Sequence, residues 1–114
     1  MPDMQDRRSE MRIMCADMVE ISWKGRGGMQ RRGTALLEDI SPSGACLQLE
    51  APVPLGVEVR VDCAQRRFLG WVRYCAYREI GYFVGVEFDA GTKWSKRMYK
   101  PRHLLDLEKF LAPK

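Results

Sequence analysis

Val57-Glu58-Val59-Arg60-Val61-Asp62-Cys63 alternates an apolar residue with a charged one at every step. A β-strand sends successive side chains to opposite faces. Strict period-two alternation therefore puts Val57, Val59, Val61 and Cys63 on a buried face and leaves Glu58, Arg60 and Asp62 in water. An α-helix, at 3.6 residues per turn, would scatter the same valines around its axis.

The same period recurs on both sides of this stretch. Upstream, Met11, Ile13, Cys15, Val19, Ile21 and Trp23 share one face, with Asp17 the exception. That pattern predicts a long first strand. Gly25, Gly27 and Gly28 then make a hairpin loop, and a second strand is expected over 33–40. Ser41-Pro42-Ser43-Gly44 is a turn by composition, and a short third strand follows over 45–50. Pro52, Pro54 and Gly56 break it before the fourth strand. Downstream, 66–77 and 80–88 read as the fifth and sixth, with Tyr82, Val84, Val86 and Phe88 on one face. Six short strands with turn signals between them, and no helix, predict an all-β antiparallel barrel or sandwich. A closed barrel would also remove the exposed edges of so small a sheet.

The ends differ from the middle. Residues 1–12 are polar at first and read as a flexible arm carrying Arg7 and Arg8; the barrel is expected over 11–90. In 91–114, a basic linker holds Lys93, Lys96, Arg97, Lys100 and Arg102, with Trp94 and Tyr99 expected to pack back on the barrel. After Pro101, Leu104, Leu105, Leu107, Phe110 and Leu111 recur at helical spacing. They predict a short C-terminal amphipathic helix lying on the core.

Composition narrows the function. At 114 residues the chain is one domain, and 46% apolar content is globular. Nineteen basic against fifteen acidic residues leave a net charge of +4, a mild preference for anionic partners. The cysteines at 15, 46, 63 and 75 lack the spacing of a metal knuckle, and the single histidine, His103, lies far from most of them. No metal is expected. Each cysteine falls in a predicted strand and serves as a small apolar side chain. With no signal peptide and no run near the roughly eighteen apolar residues of a membrane helix, a reduced cytoplasmic setting is expected. One histidine, no paired carboxylates in a motif and no nucleophile elbow exclude the familiar catalytic sets; no catalytic residue and no cofactor are assigned.

Two short features can recognise a ligand. In Arg7-Arg8-Ser9-Glu10-Met11-Arg12, Arg8 and Arg12 are four apart and share a face. Guanidinium makes forked hydrogen bonds to phosphate and to the O6/N7 edge of guanine, and it stacks on bases. The alternative is a solvated basic strand start paired with Asp6 and Glu10. In Asp39-Ile40-Ser41-Pro42-Ser43-Gly44, Asp39 offers carboxylate oxygens to N1–H and N2–H of a guanine, Ser41 adds a donor and acceptor, and Gly44 permits close approach. As plain turn chemistry, Ser41 bonds nearby backbone and Gly44 takes a positive φ.

In order and spacing, an Arg-Arg-x-x-x-Arg arm, a strand–hairpin–strand of about 27 residues and Asp-x-Ser-x-x-Gly resemble the PilZ domain family. Gly70-Trp71-Val72-Arg73-Tyr74 and Ile80-Gly81-Tyr82-Phe83-Val84-Gly85-Val86-Glu87-Phe88 are similar to its closing strands. The resemblance covers roughly residues 7–90. It implies a six-stranded antiparallel β-barrel that acts as a receptor for the bacterial second messenger cyclic di-GMP. By position, Arg8 and Arg12 would be a clamp and Asp39, Ser41 and Gly44 a platform for guanine. Arg7 would favour a stacked ligand dimer over a monomer. A stand-alone receptor implies a protein partner that reads its bound form. Two other readings remain: a PilZ-like scaffold that binds protein without nucleotide, and a small barrel binding RNA or single-stranded DNA through Lys24, Arg26, Arg31 and Arg32. The intact arginine motif disfavours the first. Nucleic acid is disfavoured because those charges read as a solvated hairpin.

Overall fold

The period-two stretches form six strands because each has one apolar face to bury. A computed structural model of the chain describes residues 10–105. The strands are β1 (Ile13–Lys24), β2 (Gln30–Ser41), β3 (Gly44–Leu49), β4 (Glu58–Cys63), β5 (Arg66–Arg78) and β6 (Gly81–Phe88). They close into an antiparallel barrel in the order β1-β2-β3-β6-β5-β4. Closure leaves no unpaired sheet edge, so the expected barrel, not a sandwich, is the architecture. Ile21, Leu37, Leu47, Val59, Phe68 and Val84 are among the fully buried residues of its core. Within 57–63, Val59, Val61 and Cys63 point inward as expected. Among the described residues, no helix is long and apolar enough to cross a membrane.

Three irregularities in register shape the outer surface. The β1–β2 pairing slips between Met14 and Asp17, the β2–β3 pairing between Leu37 and Asp39, and the β5–β6 pairing between Val72 and Tyr74. Each is a β-bulge, an extra residue that turns the following side chains to the other face. Simple alternation from buried Leu37 would send Asp39 into the core. With Glu38 as the extra residue, Ile40 points in and Asp39 faces outward. Arg73 does the same on β5: Val72 is buried, and Tyr74 emerges on the outside. Asp17, the break in the first strand's pattern, keeps the inward register opposite Leu37 and finds its hydrogen-bond donors in the Tyr99 hydroxyl and the Arg102 amide. Met11 departs from expectation; it precedes β1 and is 57% exposed.

The segment after β6 crosses the barrel as a strap. Trp94 and Tyr99 pack into the core, as expected, with 4% and 6% exposure. The Trp94 Nε1–H donates to the Tyr99 carbonyl at 2.7 Å, and the Tyr99 hydroxyl donates to Asp17 Oδ2 at 2.6 Å. The expected helix does not begin here. The Ala16 amide donates to the Arg102 carbonyl and the Leu105 amide to the Met14 carbonyl, so 102–105 spend backbone groups on the bulged part of β1. His103, at φ 56°, is left-handed, which also breaks helical geometry. Leu107, Phe110 and Leu111 lie outside the described residues.

Candidate functional site

The Asp-x-Ser-x-x-Gly segment forms the end of β2, a two-residue turn of Pro42 and Ser43, and the start of β3. Ser41 pairs with Gly44 across the turn. The buried Ser41 hydroxyl donates to the Gly44 carbonyl at 3.4 Å, the turn-chemistry role expected for it. Gly44 has no positive φ, contrary to that expectation. A glycine is required for another reason: a Cβ there would stand 2.5 Å from the Val86 carbonyl oxygen on β6. The turn is held from outside as well. The Phe88 amide donates to the Ser43 carbonyl at 2.7 Å and the Trp94 amide to that of Pro42 at 3.0 Å.

One row of paired residues crosses five strands: Met14, Asp39, Cys46, Gly85 and Tyr74. At Gly85 the row has no side chain, and the Tyr74 ring lies over that gap. Burial, then contact with Cys46, pushes the Tyr74 phenol up to about 12, while neighbouring Arg12 opposes the shift. The phenol therefore stays a neutral hydrogen-bonding group at ordinary pH. Burial likewise raises the Cys46 thiol, which suits an inert packing residue better than a nucleophile. A groove of about 210 Å³ runs beside this row, lined by Arg12, Ser43, Gly44, Tyr74, Gly85 and Glu87 among others. The Tyr74 ring fills the space over Gly85, and Gly44 is packed against the β6 backbone. On its rim, Arg73 Nε–H donates to Glu87 Oε1 at 2.5 Å.

Asp39 is the chemically unusual member. Its Oδ2 lies 3.9 Å from Arg12 Nη1, a loose ion pair in which Arg12 is 65% exposed and Asp39 22%. Its Oδ1 is buried and has no hydrogen-bond partner, alone in this among the described side chains. Burial raises the Asp39 carboxyl above its ordinary value, against the opposing pulls of Arg12 and the Cys46 amide. Nearly all buried polar atoms in folded proteins are paired, so this orphan acceptor is an exception. A larger groove, about 350 Å³, lies near Trp23, Lys24 and Arg60 at the other end of β1. The smaller groove is tied to the orphan acceptor through Arg12, which lines it and pairs with Asp39.

The model of the family described as PilZ domain matches residues 6–98. The chain belongs to the PilZ domain family. None of the curated proteins compared with it matches.

In this PilZ domain the two signature motifs meet through Arg12 and Asp39, while Ser41 is committed to the turn and Gly44 to close strand packing. Arg7 and Arg8 lie outside the described residues. Four site residues had no assignment from sequence. Tyr74 and Gly85 are one of these pairs, and only the register that matches them reveals their contact. The other pair is Glu10 and Ser43. Glu10 Oε1 accepts from the Ser43 amide at 3.2 Å and from the Ser43 hydroxyl at 2.5 Å. Glu10, one of the acidic partners the sequence offers to the basic strand start, ties the arginine motif to the turn. Among the described residues, no group of three or more His, Cys, Asp or Glu could hold a metal.

Proposed function

We propose that this PilZ domain is a cyclic di-GMP receptor and has no catalytic role. The observation that carries the reading is the unpaired, buried Oδ1 of Asp39 beside Arg12. A guanine presents two donors, N1–H and N2–H, on one edge, and a carboxylate accepts both. Arg12, largely exposed, can turn from Asp39 to a phosphate or to the O6/N7 edge. Arg8 supplies the second guanidinium, and Arg7 sets whether one ligand or a stacked pair is held.

Each forked arginine–guanine contact contributes about 1–3 kcal/mol, so loss of one costs roughly ten- to a hundredfold in affinity. Ordering of the N-terminal arm by the ligand subtracts from that gain. The strap offers a route to a protein partner. It hydrogen-bonds the Pro42 carbonyl in one motif and the Met14 carbonyl two residues after Arg12 in the other. A shift in either motif is therefore felt along residues 94–105.

Isothermal titration of the full chain with cyclic di-GMP tests the reading. Wild type should bind with a stoichiometry of one or two ligands, and Arg8→Ala and Asp39→Ala should each weaken binding at least about tenfold. No binding by wild type at tens of micromolar would overturn it.

A further inference from the structure

Ser43 occupies a variable position in Asp-x-Ser-x-x-Gly, yet its two donors converge on one oxygen. The amide and the hydroxyl both donate to Glu10 Oε1, at 3.2 and 2.5 Å. Adjacent N–H and O–H groups aimed at a single anionic oxygen form an anion-binding corner, the arrangement by which turns hold phosphate. The corner is held in place: the Ser43 carbonyl is fixed by the Phe88 amide and the neighbouring Pro42 carbonyl by the Trp94 amide. Two guanidinium residues, Arg12 and Arg73, line the same groove. The carboxylate that fills the corner comes from the arginine motif itself, between Arg8 and Arg12 in sequence.

We propose that the Ser43 amide and hydroxyl form a phosphate seat, and that Glu10 is its intramolecular competitor. One oxygen can occupy the corner, and a carboxylate and a phosphate repel each other, so the two are mutually exclusive. A ligand phosphate must displace Glu10 before Ser43 can bind it. Displacement frees the arm between Arg8 and Arg12 to turn toward the ligand. Glu10 therefore sets a threshold: apparent affinity falls by the fraction of molecules in which the corner is closed. The identity of the anion rests on the cyclic di-GMP reading; the seat itself does not.

The test follows the Ser43 amide by ¹H–¹⁵N spectroscopy in full-length wild type, Glu10→Ala and Glu10→Gln, with separate titrations of inorganic pyrophosphate and cyclic di-GMP. Without added anion, Glu10→Ala should shift the Ser43 amide and speed its hydrogen exchange. On titration, that amide should respond to both anions at lower concentration in Glu10→Ala than in wild type. Calorimetry should show cyclic di-GMP binding about three- to tenfold tighter for Glu10→Ala, with Glu10→Gln between. Equal or weaker binding by a Glu10→Ala protein of unchanged thermal midpoint overturns the competition. A Ser43 amide that responds to neither anion overturns the seat. If pyrophosphate moves Ser43 as expected while cyclic di-GMP binds none of the proteins, the seat stands and the receptor reading falls.

Discussion

Tyr74 covers Gly85 so closely that a Cβ on Gly85 would stand 2.0 Å from the Tyr74 Cε2. The ring thus needs a residue without a side chain beneath it, and the bulge at Arg73 puts it there. Gly85→Ala should drive the phenol off the sheet and uncover Cys46, at a stability cost of about 1–3 kcal/mol. Alkylation followed by mass spectrometry checks this: Cys46, protected in wild type, should react in the variant before global unfolding. Continued protection of Cys46 would mean the ring had found room.

Gly44→Ala should behave differently, because its obstacle is backbone. The added Cβ would meet the Val86 carbonyl oxygen at 2.5 Å, and a strand, not a ring, must move. Denaturant unfolding should show a loss of about 2 kcal/mol or more. Gly33→Ala is the control: no atom lies within 4 Å of its added Cβ, and its stability should stay within about 0.5 kcal/mol of wild type. A Gly44→Ala protein as stable as that control would show that β3 and β6 separate freely.

These two glycines illustrate what was legible in the sequence. The alternation in β4 and β6 reports burial directly, so strands, core and barrel could be read from it. Gly44 was legible as a necessity but for the wrong cause, since a strand contact made long after the turn dictates it. Asp39 and Tyr74 face outward only because Glu38 and Arg73 are extra residues in their ladders, and a bulge depends on pairing with a partner strand. The C-terminal leucines carry helical spacing, yet up to Leu105 the backbone is drawn onto the β1 bulge, and local periodicity cannot anticipate that pairing. Glu10 reads as a partner of the basic strand start around it; the structure pairs it with Ser43, 33 residues away.

The strap depends on one hydroxyl. Tyr99 donates to Asp17 Oδ2 at 2.6 Å, and the Arg102 amide donates to the same oxygen at 3.1 Å. Burial and the Asp17 carboxylate both raise the Tyr99 phenol, so it remains a donor. Tyr99→Phe keeps the ring against Phe68 and removes only that donor, which should cost about 1–2 kcal/mol. Hydrogen exchange should quicken at the Ala16 and Leu105 amides, where the strap pairs with β1. Unchanged exchange at both would show that ring packing alone holds it.

Asp39→Asn separates stability from recognition. The folded chain holds the Asp39 proton more tightly than the ordinary value of 3.8, chiefly because the carboxyl is buried. A group whose folded value is raised stabilises the fold fully at pH below 3.8 and loses that contribution as pH rises through the folded value. At neutral pH the ionised Asp39 is therefore a net cost, which Arg12 offsets only in part from 3.9 Å. Asn keeps the shape and removes the charge. The thermal midpoint at neutral pH should hold or rise by up to about 5 °C, and the fall of stability with rising pH should be shallower than in wild type. Recognition should move the opposite way. The Asn amide places N–H donors against the N1–H and N2–H donors of guanine, so cyclic di-GMP affinity should drop at least about tenfold. Thermal melts across acidic to neutral pH, paired with calorimetry, read both effects. A midpoint lowered by about 5 °C or more at neutral pH would mean the carboxylate supports the fold, and its unpaired oxygen would no longer mark a binding group.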